Sequence, residues 1–151
     1  MINRSYKLRK IDLKEFKRIY KNNLKNDFPF SERKPFFLIK KMYQENKYTC
    51  YILEKDNQLK AYAAFVWKCE KTLLLDYFAT GQEERGNGIG SIMLEHLKNE
   101  LNINSLISEC ENPKYAIDEN EKITRTRRID FYKKNGAYLS NAEINLAGGK
   151  F

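Results

Sequence analysis

The stretch from Thr72 to Glu111 constrains the fold most. An apolar strand-like run (Thr72 to Thr80) is followed by the turn Arg85-Gly86-Asn87-Gly88-Ile89-Gly90 and then by a helical pattern. Ile89, Ile92, Met93, Leu97 and Leu101 share one helix face. Ser105 to Glu111 is again strand-like. A strand, helix, strand unit closes as a right-handed crossover, so the two strands should run parallel. Three glycines between strand and helix let backbone N–H groups approach a ligand without Cβ interference. The helix N-terminus adds partial positive charge, which suits a phosphate and above all a pyrophosphate.

Several phosphate sites begin this way. A P-loop requires Gly-Lys-Ser/Thr, and Gly90-Ser91 lacks the lysine. A dinucleotide fingerprint requires a third glycine where Ser91 stands, although Glu109 lies near the position of its acidic partner. A plain structural turn is the third alternative. The glycines alone leave the last two open.

The rest of the chain supplies the context. Ser5 to Ile11 is a first strand candidate. Asp12 with Glu15 forms a capping box for a helix bearing Leu13, Phe16, Tyr20 and Leu24. Asp27 to Phe30 breaks that helix. Ser31 and Pro35 then open a second, with Phe36, Leu38, Ile39, Met42 and Tyr43. Tyr48 to Glu54, Leu59 to Trp67 and Thr72 to Thr80 are joined by short polar turns, which implies an antiparallel meander. Asn112 to Lys122 is a polar connection, and a helix with Ile129 and Tyr132 stops at Asn135-Gly136. Ala137 to Ala147 is the last strand candidate. At 151 residues, 42% of them hydrophobic, the chain fits one domain with a single core.

A net charge of +8 favours anionic partners without choosing among nucleic acid, a membrane surface or a phosphorylated cofactor. No nucleic-acid motif accompanies the charge, which weighs against that partner. Cys50, Cys69 and Cys110 form no metal-ligand spacing, and each falls in a strand-like run where a free Cys packs as a small apolar residue. Their odd number and the polar start, Met1 to Lys10, lead us to expect a cytoplasmic protein. No segment has the length to span a bilayer, so no membrane partner is expected. No metal is expected either.

Arg85-x-x-Gly88-x-Gly90 resembles the acyl-CoA pyrophosphate signature of the Gcn5-related N-acetyltransferase (GNAT) superfamily. Leu73 to Thr80 resembles that family's fourth strand, and Phe131-Tyr132-Lys133-Lys134-Asn135-Gly136 its later helix end. The order of elements agrees over roughly residues 4 to 147. The resemblance implies a mixed α/β fold: a twisted, largely antiparallel sheet, helices on both faces, and a parallel fourth and fifth strand that splay apart. It further implies acetyl-CoA as co-substrate and an amine of a small molecule or peptide as acceptor. The pantetheine arm would pair with backbone around Phe78, Ala79 and Thr80. The pyrophosphate would meet the amides of Arg85, Gly86, Asn87, Gly88, Ile89, Gly90 and Ser91, with Asn135 also at the cofactor.

Tyr132 matches the family's general acid, which protonates the departing thiolate. Glu109 resembles the catalytic Glu of some ribosomal-protein N-terminal acetyltransferases and is the favoured base. By strand alternation Glu111 lies on its side, and Asp76 is a third candidate. As a base, such a carboxylate would be expected beside a partly apolar cleft, whose desolvation favours the neutral form. A fourth-strand amide near Phe78 or Ala79 would hold the oxyanion. His96, in mid-helix, is read as structural or surface. Phe28, Phe30, Glu32 and Arg33 are expected near the acceptor.

Two departures from the family pattern stand out. Arg125, Arg127 and Arg128 are placed at a helix start, against the dipole, which implies a partner for their guanidiniums. Gly148-Gly149 is read as the turn into a further strand that the chain does not complete. That would leave a sheet edge for a second subunit and allow a homodimer. An acyl-CoA sensor without catalysis is the alternative function, with a basic nucleic-acid-binding domain behind it.

Overall fold

In the computed structural model Asp12 caps the first helix as its side chain predicts: its Oδ1 accepts the Glu15 N–H at 2.8 Å. The structure describes residues 3–143, 145, 146, 149 and 150. The chain divides into two units, residues 1–107 and 108–151.

In the first unit, β1 (Lys7–Ile11), β2 (Tyr48–Lys55), β3 (Gln58–Cys69), β4 (Thr72–Thr80) and β5 (Ser105–Ser108) form one sheet in the order β1-β2-β3-β4-β5. The first three pairings are antiparallel, and β4 with β5 is parallel. Between β1 and β2 the chain forms α1 (Leu13–Ile19), a π-helical turn (Tyr20–Leu24), α2 (Lys25–Asp27) and α3 (Phe36–Gln44). Between β4 and β5 comes α4 (Ile89–Glu100).

Strand alternation sends side chains to both faces of the sheet. One face meets α1 to α3 around Phe16, Leu24, Ile39, Cys50, Tyr62, Ala64 and Tyr77. Ala61, Ala63 and Phe65, which alternate with those β3 residues, are buried too, and α4 packs on β1, β3 and β4 with Met93, Leu94 and Leu97 buried. Each fully buried large side chain contributes about 1.5–3 kcal/mol. The helices cover both faces, as the resemblance implies.

β4 carries one residue more than β3 opposite it: Ala64 faces Tyr77 while Phe65 faces Leu75, so Asp76 bulges. Beyond the bulge Tyr77 joins the α1–α3 core, whereas Leu75, two residues earlier, is buried outside that cluster. β5 starts beside the N-terminal end of β4, where Asn104 N–H donates to the Lys71 carbonyl at 2.8 Å and the Thr72 and Ser105 hydroxyls lie 3.0 Å apart. Four residues of β5 run beside nine of β4, so the second half of β4 extends past it.

The second unit contains α5 (Glu119–Lys134), 16 residues long, and a two-stranded antiparallel ribbon of β6 (Asn145–Leu146) and β7 (Gly149–Lys150). Here three expectations are corrected. The strand expected from Ser105 to Glu111 ends at Ser108, and Glu111, three residues beyond it, pairs with Arg125 at 3.4 Å. The helix expected after Lys122 starts at Glu119, capped by Asp118, whose Oδ1 accepts the Glu121 N–H at 2.7 Å. The strand expected from Ala137 is irregular through Glu143. Local bonds there compete with a ladder: Ala142 N–H donates to Ser140 Oγ, and Glu143 accepts from Asn112 Nδ2 at 2.9 Å. Gly148, half of the expected Gly148-Gly149 turn, lies outside the described residues, and Gly149 itself is in β7.

The cysteines also separate. Cys50 is buried in β2, and burial pushes its thiol well up. Cys69, the last residue of β3, is exposed, and Cys110 lies past the end of β5. No helix among the described residues is long and apolar enough to cross a membrane.

Candidate active site

The turn after β4 is built to leave a helix N-terminus open. Gly81 N–H donates to the Lys60 carbonyl at 2.9 Å, and the Lys60 ammonium meets Glu84 Oε1 at 2.5 Å, which ties the turn to β3. Gln82 to Glu84 form one 3₁₀ turn. Gly86 and Gly88 then take φ of +83° and +75°, a region that L side chains avoid, and Gly88 is the N-cap of α4. No side chain caps this helix and its first turn holds no acidic residue. The leading amides of α4, from Ile89, Gly90 and Ser91, therefore stand at a positive dipole end suited to an anion.

Two of the amides expected at the pyrophosphate are used within the turn itself. Arg85 N–H donates to the Gln82 carbonyl at 3.4 Å and Asn87 N–H to the Glu84 carbonyl at 3.2 Å. Phe78, Ala79 and Thr80 occupy the C-terminal end of β4, opposite Ala63, Tyr62 and Ala61 of β3.

Asp76 is only 8% exposed and is held by the Lys34 ammonium and by the Tyr48 hydroxyl at 2.6 Å. Burial first, and then the Asp76 charge, push the Tyr48 phenol well up. Lys34 sits in the loop before α3, where Tyr20 Oη donates to its carbonyl at 2.8 Å and its N–H donates to Tyr77 Oη at 2.7 Å. Of the residues expected near the acceptor, Phe28 packs edge-on against Tyr77 at 5.1 Å, Arg33 stacks on the exposed Phe30 at 5.3 Å, and the Glu32 carbonyl accepts from Tyr77 Oη at 3.2 Å. Sequence reasoning missed Tyr20, Tyr48 and Tyr77 here. An aromatic in a core stripe does not announce that its hydroxyl has a polar partner.

In the second unit Tyr132 is half-buried in the last turns of α5. Burial raises its phenol, while a hydrogen bond with the Ser108 side chain pulls it back. The hydroxyl is thus a neutral donor at neutral pH. Glu109 is exposed just past β5. Glu111 is engaged by Arg125, which also holds Glu121 at 2.9 Å and the Asn112 carbonyl at 3.0 Å. Arg125 therefore has its partner internally. With α5 starting at Glu119, Arg125, Arg127 and Arg128 lie mid-helix, and the dipole conflict expected for them is absent. Asn135 caps α5, its amide donating to the Phe131 carbonyl at 2.8 Å, and Gly136 follows at φ +89°.

His96 is buried, its ring nitrogens 3.2 Å from Glu100 Oε1 and 3.3 Å from the Asn3 carbonyl. It is structural and not a surface residue. No group of three His, Cys, Asp or Glu among the described residues is disposed to hold a metal ion.

A bulged β4, a short parallel β5 and an uncapped helix behind a double positive-φ glycine turn meet a matching family model. Residues 46–136 match the acetyltransferase (GNAT) domain. The chain belongs to the GNAT acetyltransferase family. Solved structures share the fold of this GNAT chain. A GNAT-family protein from Bacteroides thetaiotaomicron superimposes with a TM-score of 0.72 at 20% identity, covering 92% of this chain and 77% of that one. A Clostridium acetobutylicum acetyltransferase solved with acetyl-CoA gives 0.58 at 21%, covering 93% and 95%. An aminoglycoside acetyltransferase from an uncultured soil sample, bound to sisomicin, gives 0.62 at 12%, covering 97% of each chain. No protein of curated function matches the sequence.

Proposed function

We propose that this GNAT protein transfers the acetyl group of acetyl-CoA directly to an amine. The observation that carries the reading is the turn Gly86 to Gly88 opening an α4 with no capping side chain and no first-turn acid. In this reading the pyrophosphate lies on the amides of Gly88 to Ser91, and Gly86 allows its close approach. The pantetheine runs along the half of β4 that extends past β5, beside Phe78, Ala79 and Thr80.

Tyr132, neutral at rest, donates its proton as the thiolate leaves. Glu109 takes the amine proton, directly or through water. It is favoured because Asp76 and Glu111 are held in ion pairs, and among the described residues Glu109 is not. The oxyanion is held by a β4 amide near Phe78 or Ala79. The acceptor is an amine of a small molecule or peptide, and the loop 28–35 shapes its pocket.

Thermal shift with acetyl-CoA, NAD and a short DNA duplex tests the cofactor first. Stabilisation by acetyl-CoA is expected, and stabilisation by NAD alone contradicts the proposal. Thiol release with spermidine, sisomicin and a lysine-containing peptide then tests transfer. Binding without release from any amine favours a sensor.

A further inference from the structure

The geometry points to Asp76 as a positioning residue that fixes the loop 28–35 on β4 through Lys34. This rests on the proposed reading only in that the loop is taken to shape the acceptor pocket.

Asp76 is the extra residue of the β4 bulge. A bulge re-aims one side chain while the strand continues. Here it turns a carboxylate toward the α1–α3 face at the point where the loop crosses β4. Lys34 is then held at three points: its ammonium by Asp76, its N–H by Tyr77 Oη and its carbonyl by Tyr20 Oη. Tyr77 reaches back two residues further to the Glu32 carbonyl.

The sequence explains why the loop needs such a clamp. Lys34 precedes Pro35, so its backbone is extended and joins no helix or strand ladder. Among the described residues its polar groups find their partners in the tyrosines and Asp76. The clamp leaves Phe30 84% exposed, with the Arg33 guanidinium stacked on it. The Nε of Arg33 is buried and has no hydrogen-bond partner among the described residues. A side chain so placed is costly in isolation and useful toward a ligand. Asp76 acts at a distance from that ligand, by holding its platform still. That is a different role from abstracting the amine proton.

The test compares wild-type chain with Asp76→Asn, Lys34→Ala, Lys34→Arg and the Asp76→Asn/Lys34→Ala double variant. Without ligand, amide hydrogen exchange across residues 28–35 should rise about tenfold in Asp76→Asn and Lys34→Ala. It should stay near wild type in Lys34→Arg, and α4 should change less than twofold in all. The double variant should exchange no faster than the single ones, because one interaction is lost in each. Unchanged exchange at 28–35 overturns the proposal.

With the best amine of spermidine, sisomicin and the lysine peptide, the acceptor KM should rise about tenfold while acetyl-CoA affinity holds within twofold. A fall in kcat at constant KM would instead make Asp76 the base. An equal loss of both affinities would make it merely structural. Lys34→Ala, at a side chain 42% exposed, carries the test if Asp76→Asn does not fold. If no amine is acetylated yet the exchange pattern appears, the clamp stands and the transferase reading falls.

Discussion

In the proposed mechanism Tyr132 and Gly88 separate chemistry from binding, one residue each. Tyr132→Phe removes a proton donor and keeps the ring, so turnover should fall about 10²–10⁴-fold while acetyl-CoA affinity is retained. Single-turnover kinetics beside a binding titration checks this, and unchanged turnover removes Tyr132 as the acid. Gly88→Ala does the opposite. A Cβ there would meet no heavy atom within 4 Å, so its cost is the +75° φ alone, about 1–2 kcal/mol of stability. Denaturant unfolding measures that loss, and the same variant should bind acetyl-CoA more weakly. At this scale the glycines were legible from the sequence, because a positive φ restricts residue type. Asp76 was legible only as a carboxylate on a strand. Its fate depends on a one-residue bulge that no periodicity encodes.

Elements were legible where a local code writes them. The Asp12 N-cap starts α1 as expected, while the Glu15 carboxylate pairs with Arg9 instead of closing the box, and Asp12→Ala should cost about 1 kcal/mol in denaturant unfolding. The same Asp-x-x-Glu spacing at Asp118 and Glu121 marks the start of α5. No apolar stripe accompanies that spacing, because α5 buries no residue. Strand-like composition does not fix where β5 stops, at Ser108, nor that Glu111 beyond it meets Arg125, fourteen positions on. Nor does helical spacing reveal that the first helix passes through a π turn at Tyr20–Leu24, since Phe16 and Leu24 are buried all the same.

For the whole molecule, charge and buried phenols set the response to solvent. Burial raises Tyr43, Tyr48, Tyr62 and Tyr77. Each folded pKa lies above its unfolded value, so above about pH 10 the unfolded chain binds fewer protons than the native one. Stability is then complete below about pH 10 and is lost as pH rises beyond it. Melting temperatures between pH 8 and 11.5 should show that decline, and Tyr62→Phe should shallow it. The net charge of +8 also favours an anionic cofactor at long range, so acetyl-CoA affinity should weaken as salt is added. The measurement that bears most directly on the central claim is a calorimetric titration with acetyl-CoA and with S-acetylpantetheine, which lacks the pyrophosphate. Binding of acetyl-CoA at least a hundredfold tighter is expected, since several charge-assisted hydrogen bonds are at stake. Equal affinities, or no binding of acetyl-CoA, would contradict the assignment of the Gly86 to Ser91 turn as the cofactor's anchor.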